Sequence, residues 1–373
     1  MALRQWTRIA VVIVGLMPAV GGAAEPTQVR QQQFATRDFR LESGAVLPEL
    51  TLAYETYGSL AADGRNAVLV THGFTSSHHV AGRYAPTDAK PGSWDGLIGS
   101  GKAIDTDHLF VVSSNMLGSS YGSTGPASRN PATGKPYGPD FPDISVVDMV
   151  SAQKAMLDQL GVKHLVAVAG PSYGGYQAFQ WGVTFPDFMS AIVVAVSAPK
   201  SQNGPQALTD LVARLATDPN WNGGWYYESG GVPTVMTEMR VATLKQYGIE
   251  AQLAGSFPDP AAREAEIRRQ AGLWVAEFDA NSLVALRRAS IRYDAEKDFA
   301  KLRAKVLYVL CSTDRLFPPS IAPAVMDKLR AAGVDARFFE LKSPLGHSAS
   351  GLDADKWAPE LRRFMAQVAP PAS

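Results

Sequence analysis

A serine set between glycines, Gly170-Pro171-Ser172-Tyr173-Gly174, follows the small apolar run LVAVAG. The spacing is G-x-S-x-G, the pattern of a sharp strand-to-helix turn that leaves a serine Oγ exposed, with glycines where the backbone crowds itself. A serine hydroxyl is a weak nucleophile at neutral pH, so acyl chemistry here calls for a histidine base and a carboxylate to orient it. On an open α/β scaffold these partners follow in the order serine, acid, histidine. Of the six histidines, only His347 comes after Ser172, in the loop LKSPLGHSASG. Asp314, just past the apolar run KVLYVLC, takes the acid position, with Pro318 and Pro319 stiffening the exit. A tetrahedral oxyanion needs backbone donors. Tyr173 follows the nucleophile, and Phe74 in THGFTSSHH is the second candidate. His72 reads as a support for that loop. His78 and His79 are adjacent but lack the cysteine or carboxylate companions of a zinc site, so neither a metal nor a cofactor is expected.

Strands and turns must position these residues. FRLESGAVLPELTLAYETYG alternates apolar and polar residues and is followed by the turn signal SLAADGRN, which predicts an opening hairpin. The runs AVLVTH, LFVVSSN, LVAVAG, AIVVAV and KVLYVLC are nearly continuous in hydrophobicity, as parallel strands covered on both faces are. Helical patterns lie between several of them: VVDMVSAQKAMLDQLGV, with Val147, Val150, Ala155, Met156 and Leu160 as its expected apolar stripe, and GGYQAFQWGVTF directly after the serine. The alternation predicts a doubly wound, mostly parallel α/β sheet with ligands at the carboxyl ends of its strands. Long Gly-, Pro- and Ser-rich stretches at 73–101 and 116–143 follow strands and read as walls of a catalytic mouth. Asp353 and Asp355 are expected to open the last helix, DKWAPELRRFM.

Residues 200–294 turn helical and aromatic, and are read as a cap inserted into the sheet domain, which then comprises residues 25–199 and 295–373. The chain carries 35 basic and 35 acidic residues, so no charge imbalance points to a nucleic-acid partner and a small substrate is expected. The N-terminus places Arg4 and Arg8 before the apolar IAVVIVGLMPAV and the small residues GGAAE, the order of a secretory signal over residues 1–24, with cleavage near Ala24. No membrane association is expected after that cleavage, and the expected location is periplasmic or secreted. The single cysteine, Cys311, excludes an intrachain disulfide and reads as a buried structural thiol.

The stretches LAYETYG, AVLVTHG, WDGLIGSGKAIDTD, SSNMLGSSYGSTGPASRNPATGKPYGPDFP, GPSYGGYQAFQW, FDANS and STDRLFPP together resemble the homoserine O-acetyltransferases of the α/β-hydrolase superfamily. The resemblance implies the α/β-hydrolase fold, an acyl-enzyme mechanism and the same three residues, Ser172, Asp314 and His347. It also implies that Arg240, seven residues before Tyr247, binds a substrate carboxylate, and that the residue after the histidine contacts a substrate amine. Family members commonly carry aspartate there, where this chain has Ser348. Pro171 and Tyr173 likewise stand where the family usually has glycine and methionine. A cap that pairs two copies of the chain is a further implication, although NWNGGWYYESGG reads equally as the lining of a cleft.

The leading expectation is a secreted or periplasmic serine hydrolase of small esters. The alternative is an O-acyltransferase that passes an acyl group from acetyl-CoA or another donor to an alcohol, homoserine included. A non-catalytic binding protein on the same fold is the third.

Overall fold

The computed structural model describes residues 29–369; the expected signal segment lies outside them. The strands are β1 (Gln32–Arg40), β2 (Val46–Tyr57), β3 (Ala67–Val70), β4 (Ile98–Gly99), β5 (Ile104–Asp105), β6 (Phe110–Ser114), β7 (Leu165–Pro171), β8 (Met189–Ala195), β9 (Lys305–Cys311) and β10 (Ala336–Leu341). Eight of them form one sheet in the order β1-β2-β6-β3-β7-β8-β9-β10, and β4 pairs with β5 apart from it. The β1-β2 hairpin and the β2-β6 pairing are antiparallel, and every other pairing is parallel. Continuous apolar runs suit this arrangement because both faces of the central strands are covered. All side chains of β3 and β6 are buried, as are nearly all of β7, β8 and β9. Cys311 ends β9 fully buried.

Helices α1 (Val146–Gln159) and α2 (Tyr173–Thr184) cover one face, and α8 (Ala322–Ala331) connects β9 to β10. Ser145 and Asp148 form a reciprocal capping box at the start of α1. The buried stripe of α1 is Val146, Met149, Val150, Gln153, Met156 and Leu157. Val147, Ala155 and Leu160 are only half-buried, a rotation from the expected stripe. The cause is polar: Gln153 turns inward, donates to Gln177 at 2.7 Å and accepts from the Trp181 indole at 2.7 Å.

Between β8 and β9 the chain forms α3 (Gln206–Leu215), α4 (Pro233–Gln246), α5 (Ile249–Leu253), α6 (Pro260–Val275) and α7 (Ala280–Ile291). This excursion leaves and returns at one place: Lys200 pairs with Asp294, and Ala295 N–H donates to Pro199 O at 2.9 Å. Leu215, Trp221, Val235, Met236, Leu283 and Leu286 join the main core, whereas Val241, Ile249, Leu253, Ile267 and Ala271 form a small cluster of their own. After the short α9 (Ala349–Leu352), the chain ends in α10 (Ala358–Ala366). Neither expected aspartate caps α10, whose N-cap residue is Trp357 and makes no side-chain cap. Asp353 instead accepts hydrogen bonds from Ser343 and Lys356.

Candidate active site

Ser172 sits between the end of β7 and the start of α2 with φ 55° and ψ −122°. A non-glycine residue in that conformation costs about 1–3 kcal/mol, and the surrounding contacts hold it there. Its N–H donates to Ala195 O at 2.9 Å, and Ser197 Oγ donates to Ser172 O at 2.6 Å. The flanking glycines are a packing necessity. A Cβ at Gly170 would lie 2.2 Å from Thr71 Oγ1, and one at Gly174 would lie 2.6 Å from Thr71 O.

Asp314 and His347 reach the same end of the sheet from the loops after β9 and β10. His347 Nδ1 and Asp314 Oδ2 are 2.9 Å apart, and both residues are buried. Asp314 Oδ1 accepts from Leu316 N–H at 2.8 Å, which orients the carboxylate. With Nδ1–H donating to Asp314, Nε2 is left to accept a proton. The imidazole is held between the rings of Tyr247, 4.8 Å away, and Phe317, 5.7 Å away.

The Tyr173 amide belongs to the first residue of α2, a position with no acceptor inside its helix. Phe74 lies on the loop after β3, its ring stacked on that of Tyr173 at 5.8 Å. Both line the cavity beside Ser172. The Tyr173 hydroxyl donates to Leu286 O at 3.1 Å, so a residue that departs from the family pattern fastens the serine turn to α7. His72 is fully buried, with Nδ1–H donating to Gly73 O at 2.9 Å and Nε2 accepting from Met116 N–H at 3.1 Å. Burial lowers its pKa to about 4, so it is a neutral strut between two loops. His78 and His79 face the buried Glu55.

Two cavities meet at Ser172, of about 280 and 390 Å³, and share Phe74, Thr75, Arg240 and Tyr247. His347 and Ser348 line only the larger one. Arg240 reaches down from α4 to donate to Thr75 Oγ1 at 2.7 Å, with its guanidinium 4.6 Å from the centre of the Trp274 ring. The Trp274 indole in turn donates to Thr75 O at 3.0 Å. Burial lowers the Arg240 pKa, and its Nε is buried without a hydrogen-bond partner. Thr75, Trp274, Phe317 and Arg287 belong to the site without having been singled out in the sequence. For Arg287 a signal existed: Leu283, Arg287 and Ser290 repeat at helical spacing, and all three line the smaller cavity.

The two long loops divide the work. The stretch 73–101 supplies Phe74, Thr75, Lys90, Ser93 and Trp94 to the cavity walls. The stretch 116–143 contributes to neither wall. It extends the edge of β2 through Thr124 and Ser123, and Ser120 Oγ accepts from Asp279 N–H at the start of α7.

The model of the alpha/beta hydrolase fold family matches residues 66–353. The chain is 39% identical to the homoserine O-acetyltransferase of Geobacter sulfurreducens over 89% of its length and 95% of that protein's. It is equally similar, at 39%, to the homoserine O-succinyltransferase of Methylibium petroleiphilum over 88% of this chain and 91% of the other. Among solved structures, esterase E22 matches with TM-score 0.84 and 29% identity, covering 91% of this chain and all of that one. The homoserine O-acetyltransferase of Bacillus anthracis matches with TM-score 0.83 and 27% identity, covering 92% and 99%.

Proposed function

The chain belongs to the homoserine O-acetyltransferase-like family of the α/β-hydrolase superfamily, and from that premise we propose that it is a serine-dependent O-acyltransferase whose acceptor is a small hydroxy compound bearing a carboxylate. The observation that carries this reading is Arg240, a guanidinium that no carboxylate within the described residues neutralises, on the wall shared by both cavities. A buried cation without a counter-ion is costly, and an acceptor carboxylate offsets that cost on binding.

In the first half-reaction Ser172 Oγ attacks the donor carbonyl while His347 Nε2 takes its proton and Asp314 stabilises the imidazolium. The Tyr173 and Phe74 amides meet the developing oxyanion. His347 returns the proton to the departing alcohol or thiol, leaving an acyl group on Ser172. In the second half-reaction the acceptor hydroxyl gives its proton to His347 and takes the acyl group, and His347 passes that proton to Ser172 Oγ as its bond to the acyl carbon breaks. Relatives that act as homoserine O-acyltransferases support this reading above the ester hydrolase expected from the sequence.

Hydrolysis remains the second reading, favoured by Ser348. It lines the cavity beside His347 and offers no charge to an acceptor amine. The test is partition of the acyl-enzyme. Purified protein is acylated with a short-chain ester or acetyl-CoA, and breakdown is followed in water alone and with homoserine or its deaminated hydroxy acid. Faster breakdown with stoichiometric acylated acceptor supports transfer, whereas an unchanged rate with free acid as sole product overturns it. We also read residues 1–24 as an export signal. Mature chain beginning near Glu25 is the expected intact mass from the native host, and retention of Met1 to Ala24 overturns that placement.

A further inference from the structure

α7 and its C-terminal cap carry Arg287, Arg288 and Arg292. Arg288 and Arg292 turn outward and both pair with Asp143, at 2.7 and 3.3 Å. Arg287 turns inward, between Leu283 and Ser290 on the wall of the smaller cavity. Its guanidinium lies 5.0 Å from the centre of the Phe74 ring, and its Nε is buried without a hydrogen-bond partner. Within the described residues no carboxylate stands within salt-bridge distance of it. A cation placed this way beside Ser172 is built for an anion that arrives with the substrate.

The two cavities differ in a way that identifies the part of the substrate carrying that anion. His347, the base that exchanges protons with the leaving group and then with the acceptor, lines the larger cavity and not the smaller one. Leaving group and acceptor hydroxyl therefore belong on the His347 side. The acyl chain left on Ser172 extends into the smaller cavity, toward Tyr176, Phe317 and Arg287.

We propose that Arg287 is the counter-ion for a carboxylate at the far end of the acyl group, so that the donor is a monoester or monothioester of a short dicarboxylic acid. The proposal rests on the acyl-enzyme reading above and specifies its donor. The Ser172 Oγ to carbonyl bond forms as the bond from that carbonyl to the leaving oxygen or sulfur breaks. The Oγ proton passes through His347 to the leaving group, and the distal carboxylate stays ionised against Arg287 throughout. Arg240, reachable from both cavities, remains available to a carboxylate on the acceptor.

The test reads acylation alone, without acceptor. Succinyl and butyryl thioesters of N-acetylcysteamine present four-carbon acyl groups that differ at the far end, a carboxylate against a methyl group. Thiol release against an enzyme-free control, with intact mass on Ser172, gives kcat/KM for each. The wild type is expected to prefer succinyl. Arg287→Met should lower the succinyl-to-butyryl ratio by about tenfold or more, and Arg287→Lys should recover much of it. Because the readout is a ratio, a variant that merely disturbs the Phe74 loop slows both donors and leaves it unmoved. A wild type that prefers butyryl, or a ratio unchanged in Arg287→Met, overturns the proposal while leaving Ser172 acylation intact. Failure of both thioesters to acylate Ser172 overturns the acyl-enzyme reading and this proposal together. Loss of acceptor affinity in Arg287→Met with an unchanged donor ratio assigns Arg287 to the acceptor and also overturns it.

Discussion

The carboxyl end of the sheet beneath Ser172 and the helical cap above it are packed to different tolerances. Under the serine, a single methyl group at Gly170 or Gly174 would collide with the backbone or side chain of Thr71. In the cap, Gly255 and Gly272 have nothing within 4 Å of a built Cβ. The α4–α6 lobe rests on a small apolar cluster and on partly exposed ion pairs such as Lys245–Glu264 and Arg268–Glu238, which contribute little stability each. The lesson is a division of labour: Ser172 and its partners stand on the part that cannot yield, and Arg240, the proposed acceptor contact, stands on the lobe that can be rebuilt.

The sharpest way to break this division is at the carboxyl end of the sheet. Ser172→Ala should abolish turnover and fluorophosphonate labelling, read by intact mass, while His347→Ala and Asp314→Asn should each lower kcat by about 10⁴-fold with the fold intact. Retained labelling in the serine variant, or full activity in either partner variant, would assign the chemistry elsewhere. Packing gives the next largest contrast. Gly170→Ala should lose about 3 kcal/mol in denaturant unfolding, whereas Gly272→Ala inside α6 should gain about 1 kcal/mol. Equal effects at the two glycines would erase the contrast.

In the cap, Arg240→Met should raise KM about ten- to a hundredfold for a carboxylate-bearing acceptor, with a far smaller change for an uncharged alcohol. Equal losses for both acceptors would make Arg240 a structural residue. His72 tests the supporting layer through pH. The fold holds it neutral with a pKa of about 4, against an ordinary value near 6.5, so unfolding takes up a proton between those values. Its contribution is therefore complete above about pH 6.5 and falls by about 3 kcal/mol as pH drops toward 4. His72→Gln should flatten that acid limb in a Tm-against-pH series, and parallel curves would contradict it. The smallest expected effect is at Ser348. Ser348→Asp should raise transfer to homoserine relative to water by about tenfold if a restored ion pair contributes about 1.4 kcal/mol. An unchanged partition would place the acceptor amine elsewhere.

Much of the sheet was legible because its strands are short, buried on both faces and written as near-continuous apolar runs. KVLYVLC coincides with β9, and LVAVAG with all but the last residue of β7. The α1 stripe was misread because Gln153 is polar in composition yet buried by two side-chain hydrogen bonds, which no hydrophobic period reports. The loop 116–143 read as a wall of the mouth, but its hydroxyl and amide groups serve the edge of β2. Glycine and serine content marks an irregular path without saying which strand will satisfy it.

By itself the sequence determined the strand order along the chain, the turn that bears Ser172, and the positions of Asp314 and His347 past the ends of their strands. Those are local properties, carried by residues within a few positions of one another. Only the tertiary structure decided that Arg240 meets Thr75 across 165 positions, that His72 braces Met116, and that Arg287 faces inward while Arg288 and Arg292 face out. The physical reason is that these contacts depend on how the cap and the loops between strands dock on the sheet. That docking is set by side chains far apart in the chain, buried together only once the whole molecule has packed.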